Sequence, residues 1–425
     1  MGLVILFTVF FFLLLIKVPL AFSIGISSLA YFVFRRDINM MILLQKVFTG
    51  ADSFAMLALP LYILAGNIMN VGGIAKRLIN FCMRIVGHIR GGLAMVNVLV
   101  SMIFGGISGS AVADTSALGS LLIPNMVERG YDADFSAAVT SASATIGIII
   151  PPSITMILYG VVSGSSIGKL FIAGIIPGII VTVTQMIYCY FVAIKRGYPT
   201  EGDFNAKELL KASKEALLAL IMPLIILGSI VFGIASPTEA AGIAVVYGLI
   251  VSKFVYHSIT WQDLKGMLYD MVVTSGQVMI IVAFSSLFGW ILSYERVPTI
   301  LAEWILRIAP NKVVLMLLID LLLLILGTFL HGTPIILVVI PILLPLVKQV
   351  GIDLIHFGLI VTLAIGIGQQ TPPVGSCLFV TSALAKLDIM EVARANVPFI
   401  LMFILILLAI TFIPGISLLL PSILG

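Results

Sequence analysis

Gly106 to Pro152 reads GISGSAVADTSALGSLLIPNMVERGYDADFSAAVTSASATIGIIIPP, and a shift of 221 positions lays it without a gap on Gly327 to Pro373. Only nine of the 47 aligned pairs are identical, but they fall at structural punctuation: Pro124/Pro345, Gly130/Gly351, Asp132/Asp353, Ile146-Gly147/Ile367-Gly368 and Pro151-Pro152/Pro372-Pro373. Each copy is a small-residue break, an apolar helix, a Gly-x-Asp turn, and a long apolar segment interrupted by Pro-Pro. Interrupted apolar segments at matching places in two halves of a membrane chain mark a transporter binding site.

Composition gives the class. The 425 residues are 61% hydrophobic and 10% charged, against roughly 25% charged in soluble domains. Apolar runs near the roughly 20 residues needed to cross a bilayer recur from end to end. The first run lacks a basic n-region and a small-residue cleavage site, so it reads as a membrane helix and not a signal peptide. Cys82, Cys189 and Cys377 lie in apolar segments as small packing residues. The histidines are too scattered for a local metal motif. Topology accounts for the net charge of +4, so nucleic acid is not implied.

In chain order, the first half predicts helices at 2–16, 20–34 and 54–69, with a polar connection before the third in which Asp52 and Ser53 are N-cap candidates. A basic amphipathic stretch at 76–90 is expected in the headgroup plane. Residues 93–128 could cross twice, but the small polar residues at their centre predict a re-entrant hairpin, tolerated at membrane depth only where protein or a wet cavity covers it. A helix at 135–163 is broken at Pro151-Pro152, where two successive backbone donors are missing, and 170–194 closes the half. The linker is 195–215, between a first repeat at 1–194 and a second at 216–425. The second repeat predicts helices at 217–235, 239–256 and 271–292, a connector at 298–309, a hairpin at 312–348, a broken helix at 354–385 and a last helix at 395–420.

Five crossings and one hairpin per half make the halves inverted about an axis in the membrane plane. Threaded this way, one face collects 15 of the 23 basic residues, Lys76, Arg77, Lys195, Arg196 and Lys207 among them, and the other collects 8. The excess marks the cytoplasmic side and puts both termini outside. The hairpins then enter from opposite faces and form a two-sided gate around one site.

Four motifs carry a family resemblance: Ala58-Leu-Pro-Leu-Tyr-Ile-Leu-Ala-Gly-Asn67, Gly105-Gly-Ile-Ser-Gly-Ser-Ala-Val-Ala-Asp-Thr-Ser116, Ser236-Pro-Thr-Glu-Ala240 and Gly366-Ile-Gly-Gln-Gln-Thr-Pro-Pro-Val-Gly375. In this order, over essentially the whole chain, they resemble the large membrane subunit of the tripartite ATP-independent periplasmic (TRAP) transporters. The resemblance implies a sodium-driven elevator transporter of the bacterial inner membrane. It also implies a small four-helix membrane partner, expected as a separate polypeptide, and a periplasmic binding protein that delivers an organic acid. Overall likeness favours sialic acid, with C4-dicarboxylates next. Many relatives have Met-Asp at the second hairpin tip where this chain has His331-Gly332-Thr333-Pro334, so no role of that carboxylate carries over.

Sodium takes oxygen ligands, and broken helices free backbone carbonyls for it. The first pool is Ser108, Ser110, Thr145 and the carbonyls from Gly147 to Ile150; the second is Thr328, Gly332, Thr333, Gly368, Gln369 and Gln370. At least two ions are expected. Any one of these hydroxyls could instead serve helix packing or bond its own backbone; their concentration at two related breaks favours the ion. No Arg or Lys falls within either motif, so half-helix N-termini and hydroxyls are expected to hold the anion: Ser108, Ser110, Ser153 and Thr155, faced by Thr371. Asp114 is costly at the midplane, at least ~2.5–3.5 kcal/mol, and reads as an N-cap for the second hairpin arm before a direct ion ligand. Glu239 reads as a helix-start carboxylate, Pro151, Pro152, Pro372 and Pro373 as the structural breaks, and Asp320 is unassigned.

A reading from another class is that Gly106-Ile107-Ser108-Gly109 matches the Gly-x-Ser-Gly of rhomboid intramembrane proteases, with Ser108 as nucleophile. It leaves the repeat unexplained, and only His331, on a hairpin tip, approaches the needed depth. A subunit of an ion-pumping respiratory complex would show paired Lys and Glu in mid-helix, which this chain lacks. The charge split makes a direct prediction: a cysteine at Lys207 stays unlabelled by an impermeant maleimide in right-side-out cells. Labelling there would overturn the threading and the inverted repeat together.

Overall fold

The structure, a computed structural model, describes residues 1–297, 300 and 311–424. The connector expected at 298–309 lies outside the described residues apart from Ile300. Among the described residues eight helices are long and apolar enough to cross a bilayer, and nine when Ala133–Ile149 and Ile154–Ser163, bent by 41°, are counted as one span. Gly2–Leu15 and Leu20–Phe34 are shorter apolar helices that pack on each other.

The 221-residue shift holds element by element. It carries the first hairpin, Gly92–Ser108 and Ala111–Glu128, onto 313–329 and 332–349, where Lys312–Phe329 is followed by a continuous helical arm over Gly332–Gln349. It carries Ala133–Ala144 onto 354–365, within Leu354–Gln369, and Ile154–Ser163 onto 375–384, against Ser376–Ala385. The fold is all-α, two inverted repeats with one re-entrant hairpin each. The repeats touch at equivalent points: Thr145 Oγ1 donates to the Gly366 carbonyl at 3.2 Å, and these residues are themselves 221 apart. The pseudo-two-fold axis therefore passes between them.

Several elements differ from the sequence reading. The supposed polar connection contains a helix, Met41–Ala51, opened by the Asn39 side-chain oxygen Oδ1 accepting from Met41 N at 2.8 Å. Neither expected cap forms: Asp52 ends that helix, and Ser53 makes no side-chain capping bond. The second repeat answers this pair, Met41–Ala51 and Ala58–Val71, with one continuous helix, Trp261–Tyr294, ten residues longer at its start than periodicity suggested because Thr260 and Asp263 close a capping box. The polar linker is irregular only over 197–205, with Ile167–Arg196 running into it and Asn205 capping Ala206–Val231. The last segment is two helices, Ile389–Phe412 and Gly415–Leu424, divided at Pro414. The amphipathic stretch is Ile74–Val86, and its apolar face (Ile74, Leu78, Cys82, Val86) is buried against the first hairpin arm and the Ala206–Val231 helix.

Two devices hold neighbouring elements together. Near the charged face, the hydroxyl of Tyr198 and the guanidinium of Arg196, each 2.6 Å from Asp132 Oδ2, hold that carboxyl below the usual range. At depth, glycines let backbones touch: Gly105 lies against Gly147, and Gly327 against Gly368. A Cβ on Gly368 would collide with the main chain of Gly327. Overpacking of this kind costs about 1–3 kcal/mol, so Gly368→Ala is expected to lower the thermal midpoint of the purified protein. Gly276→Ala, where a Cβ meets nothing within 4 Å, is the control. Equal midpoints would show that the contact yields.

Candidate functional site

Each hairpin tip is tied to the Pro-Pro break of its own repeat. The Gly92–Ser108 arm ends at Gly109, with φ +64, and the Gly109 carbonyl accepts from Ile154 N at 3.3 Å, just past Pro151-Pro152. In the second repeat the Thr328 carbonyl accepts from Val374 N at 3.2 Å, just past Pro372-Pro373. Groups left over by one interruption satisfy those left over by the other, as a bilayer requires.

Ser110 is the cap of the Ala111–Glu128 arm, accepting from Ala113 N at 3.4 Å. This corrects the reading of Asp114 as that cap: Asp114 sits one turn inside the helix, with its side chain turned to the break. It is 1% exposed; Oδ1 accepts from the Ser108 hydroxyl, while Oδ2 is buried with no hydrogen-bond partner. That oxygen faces Gly147 and Gly105, where the two main chains meet. An unpaired carboxylate oxygen at membrane depth, beside a broken helix, is suited to a small cation. Gly147 and Ile150 are at the end of this half-helix; Ile150 is in extended conformation, and its N–H bonds Ile146 O at 2.8 Å.

Other predicted ligands are already engaged. Thr145 Oγ1, besides donating to Gly366, accepts from Gln370 Nε2 at 3.1 Å. Gln370 Oε1 and its carbonyl accept from Asn396 Nδ2 at 3.2 and 2.9 Å. Thr145 and Gln370 thus bridge the repeats. Thr371 donates to its own helix at Ile367 O, 2.6 Å, and Thr328 to Ile325 O, 2.8 Å. The second break keeps two buried oxygens without partners, Gln369 Oε1 and Ser376 Oγ. A space of about 10 Å³ lies there, walled in part by Gly327, Thr328, His331 and Ser376, about the size of one small sphere. Gly332 and Gly368 pack closely at the same break, and Thr333 is half-buried beside them.

A larger cleft, about 360 Å³, opens at the first tip. Ser108 and Ser110 line it, as predicted for an anion site. Ser153 does not: it is fully buried and caps its helix, accepting from Met156 N at 3.3 Å. Thr155 and Thr371 are also outside its wall. The opposite wall was missed: Asn67 and Asn70 of Ala58–Val71, and Asp270 and Thr274 of Trp261–Tyr294. Asn67 ends one of the motifs quoted above. Asp270 fell just outside the helix drawn from periodicity, and its carboxylate within a long apolar span was the signal available. Ser108 is bonded to Asp114 and not to a histidine, so the protease reading finds no base. Glu239 takes its expected place, accepting from Ser236 N at 2.7 Å in a capping box with Ser236.

The family model described as "Tripartite ATP-independent periplasmic transporter, DctM component" matches residues 7–416. The sialic acid TRAP transporter large permease protein SiaM of Vibrio cholerae is 39% identical over 96% of this chain and 96% of its own length. The isethionate TRAP transporter permease protein DctMQ of Oleidesulfovibrio alaskensis is 41% identical over 97% of this chain, which spans 65% of that protein. Among solved structures, the YdaH transporter of Alcanivorax borkumensis superposes with a TM-score of 0.63 over 87% of this chain and 86% of its own, at 15% identity, and shares the fold. The unpaired Asp114 oxygen yields a prediction. On the sodium coupling expected from the family resemblance, Asp114→Asn should keep expression and folding while raising the sodium concentration for half-maximal uptake about tenfold, the equivalent of 1.4 kcal/mol. An unchanged sodium dependence would confine Asp114 to hairpin packing.

Proposed function

Since the chain belongs to the DctM component family of tripartite ATP-independent periplasmic transporters, we propose that it imports an organic acid across the bacterial inner membrane by sodium symport. It is a permease component and not an enzyme. The observation that carries the reading is the pair of oxygen-bearing helix breaks related by the 221-residue repeat, the first holding the unpaired Asp114 oxygen directly beside a substrate-sized cleft.

The cleft has the chemistry to hold a carboxylate at one end. The Ala111–Glu128 arm begins there with Ser110 and Ala113, and the positive end of a helix dipole favours an anion. Asn67 and Asn70 add amide donors across the cleft, and Asp270 repels the acid group towards the Ser108–Ser110 end. Sodium on Asp114 would neutralise the carboxylate nearest the anion, so each ligand favours the other; that coupling is the physical content of symport. Sialic acid is the favoured substrate, as for the SiaM relative; isethionate, named for the DctMQ relative, and C4-dicarboxylates are the next classes.

Both hairpins and both Pro-Pro helices move together against a scaffold that includes Ala58–Val71 and Trp261–Tyr294, in an elevator step. A small four-helix membrane subunit and a periplasmic binding protein complete the system, and both termini of the chain face the periplasm. Reconstituted with these partners, uptake of sialic acid, isethionate or succinate should require an inward sodium gradient. Uptake that persists when choline replaces sodium would sink the coupling, and no uptake of any of the three would sink the substrate class.

A further inference from the structure

The Trp261–Tyr294 helix borders a second cleft, of about 640 Å³. Its wall on this helix starts at Val282, 8 residues beyond Thr274, about 12 Å further along at the rise of an α-helix. The threading sets it towards the face opposite the hairpin-tip cleft, where the second hairpin arm ends. Lys46 of Met41–Ala51 and Lys348 in the last turn of Ile340–Gln349 line it, with no carboxylate in the wall among the described residues. Neither lysine is within salt-bridge distance of an acidic side chain among the described residues. Ser286 and Ser293 add hydroxyls, and Ser285, 4% exposed, has an Oγ without a hydrogen-bond partner.

We propose that this cleft is a second, separate binding site for small organic anions, at which the substrate waits on the outer side before reaching the hairpin tips. The proposal rests on the reading of the chain as an organic-anion permease. Two ammonium groups in a cleft with low-dielectric walls focus the field and concentrate anions there. The hydroxyls can donate to carboxylate or sulfonate oxygens, and Trp290 supplies an apolar wall for a carbon skeleton. The volume lies in the range of small-molecule sites, about 300–1,000 Å³. Selection here is by charge, so the site should accept acids that the tip cleft distinguishes. A lipid phosphate shares this chemistry, and the test separates the two sources.

Thr49 is exposed and lines the cleft, whereas the three native cysteines are buried. Thr49→Cys in the reconstituted complex is labelled with an impermeant maleimide, with and without sialic acid, isethionate or succinate, and with glucose as the neutral control. All three anions should slow labelling, less so at high salt, and glucose should not. In the Lys46→Gln, Lys348→Gln pair, protection should need about tenfold more anion, the lower end of the gain from such focusing, while the Lys→Arg pair keeps it. No protection by any anion, or protection undiminished in the Gln pair, overturns the site. Labelling that is slow without added anion in anionic-lipid vesicles, and fast in neutral ones whatever is added, assigns the cleft to a headgroup and also overturns it. Sodium-driven uptake is followed in the same vesicles: uptake without protection removes the second site alone, and protection without uptake removes the functional reading alone.

Discussion

A bilayer offers no hydrogen-bond partner to an interrupted helix, and the centre of this protein is organised by that constraint. Each repeat interrupts two elements at the same depth, a hairpin tip and a Pro-Pro helix, and docks one on the other. Gly109 O with Ile154 N, and Thr328 O with Val374 N, are the same solution reached twice. The approach is possible because glycine faces glycine at each break, Gly105 with Gly147 and Gly327 with Gly368. Polar backbone is thereby stabilised at membrane depth with its remaining oxygens turned inward, which is what a site for a small cation needs.

The two breaks are not chemically equal. Only the first carries a carboxylate, and Asp114 keeps one oxygen unpaired there. The second offers neutral oxygens, Gln369 Oε1 and Ser376 Oγ. An ion at the first break would gain a full charge interaction, and one at the second only dipoles. The repeat thus sets the geometry of both positions while the side chains differentiate their strength. The hairpin-tip cleft is one-sided in the same way: it opens at the Ser108–Ser110 tip, whereas the second tip borders a space for a single small particle.

Legibility in the sequence followed the locality of each signal. Gly-Ser breaks, Pro-Pro pairs and Gly-x-Asp turns act within a few residues, and the hairpins and broken helices appeared where those residues placed them. Met41–Ala51 was missed because Gln45, Lys46 and Thr49 mask an apolar face that packs on Trp261–Tyr294. The cap at the first tip was misassigned between Ser110 and Asp114, since both residue types cap and only the backbone turn at Gly109 decides. Thr145, Gln370 and Thr371 have the right chemistry for an ion but are held by long-range or own-helix bonds that no spacing reveals. The far wall of the cleft, Asn67 and Asp270, belongs to helices distant in sequence, so only the fold brings it to the tip.

The positions of the buried polar networks bear on how such a molecule can move. Asn97, Thr140, Ser143 and Ser101 join the first hairpin to its Pro-Pro helix through bonds of 2.6 to 3.1 Å. Thr145, Gly366, Gln370 and Asn396 join the two repeats across the pseudo-axis. Separating either set at membrane depth would strand several donors and acceptors at once, each costing about 1–3 kcal/mol. The surface towards Trp261–Tyr294 is different: that helix borders both clefts and meets the second hairpin through apolar side chains, Val338, Pro341 and Ile342 among them, with no side-chain hydrogen bonds to lose. Sliding there exchanges one apolar contact for another. The hairpins and broken helices are therefore tied to one another by buried polar bonds, while their boundary with Trp261–Tyr294 at the second hairpin is apolar.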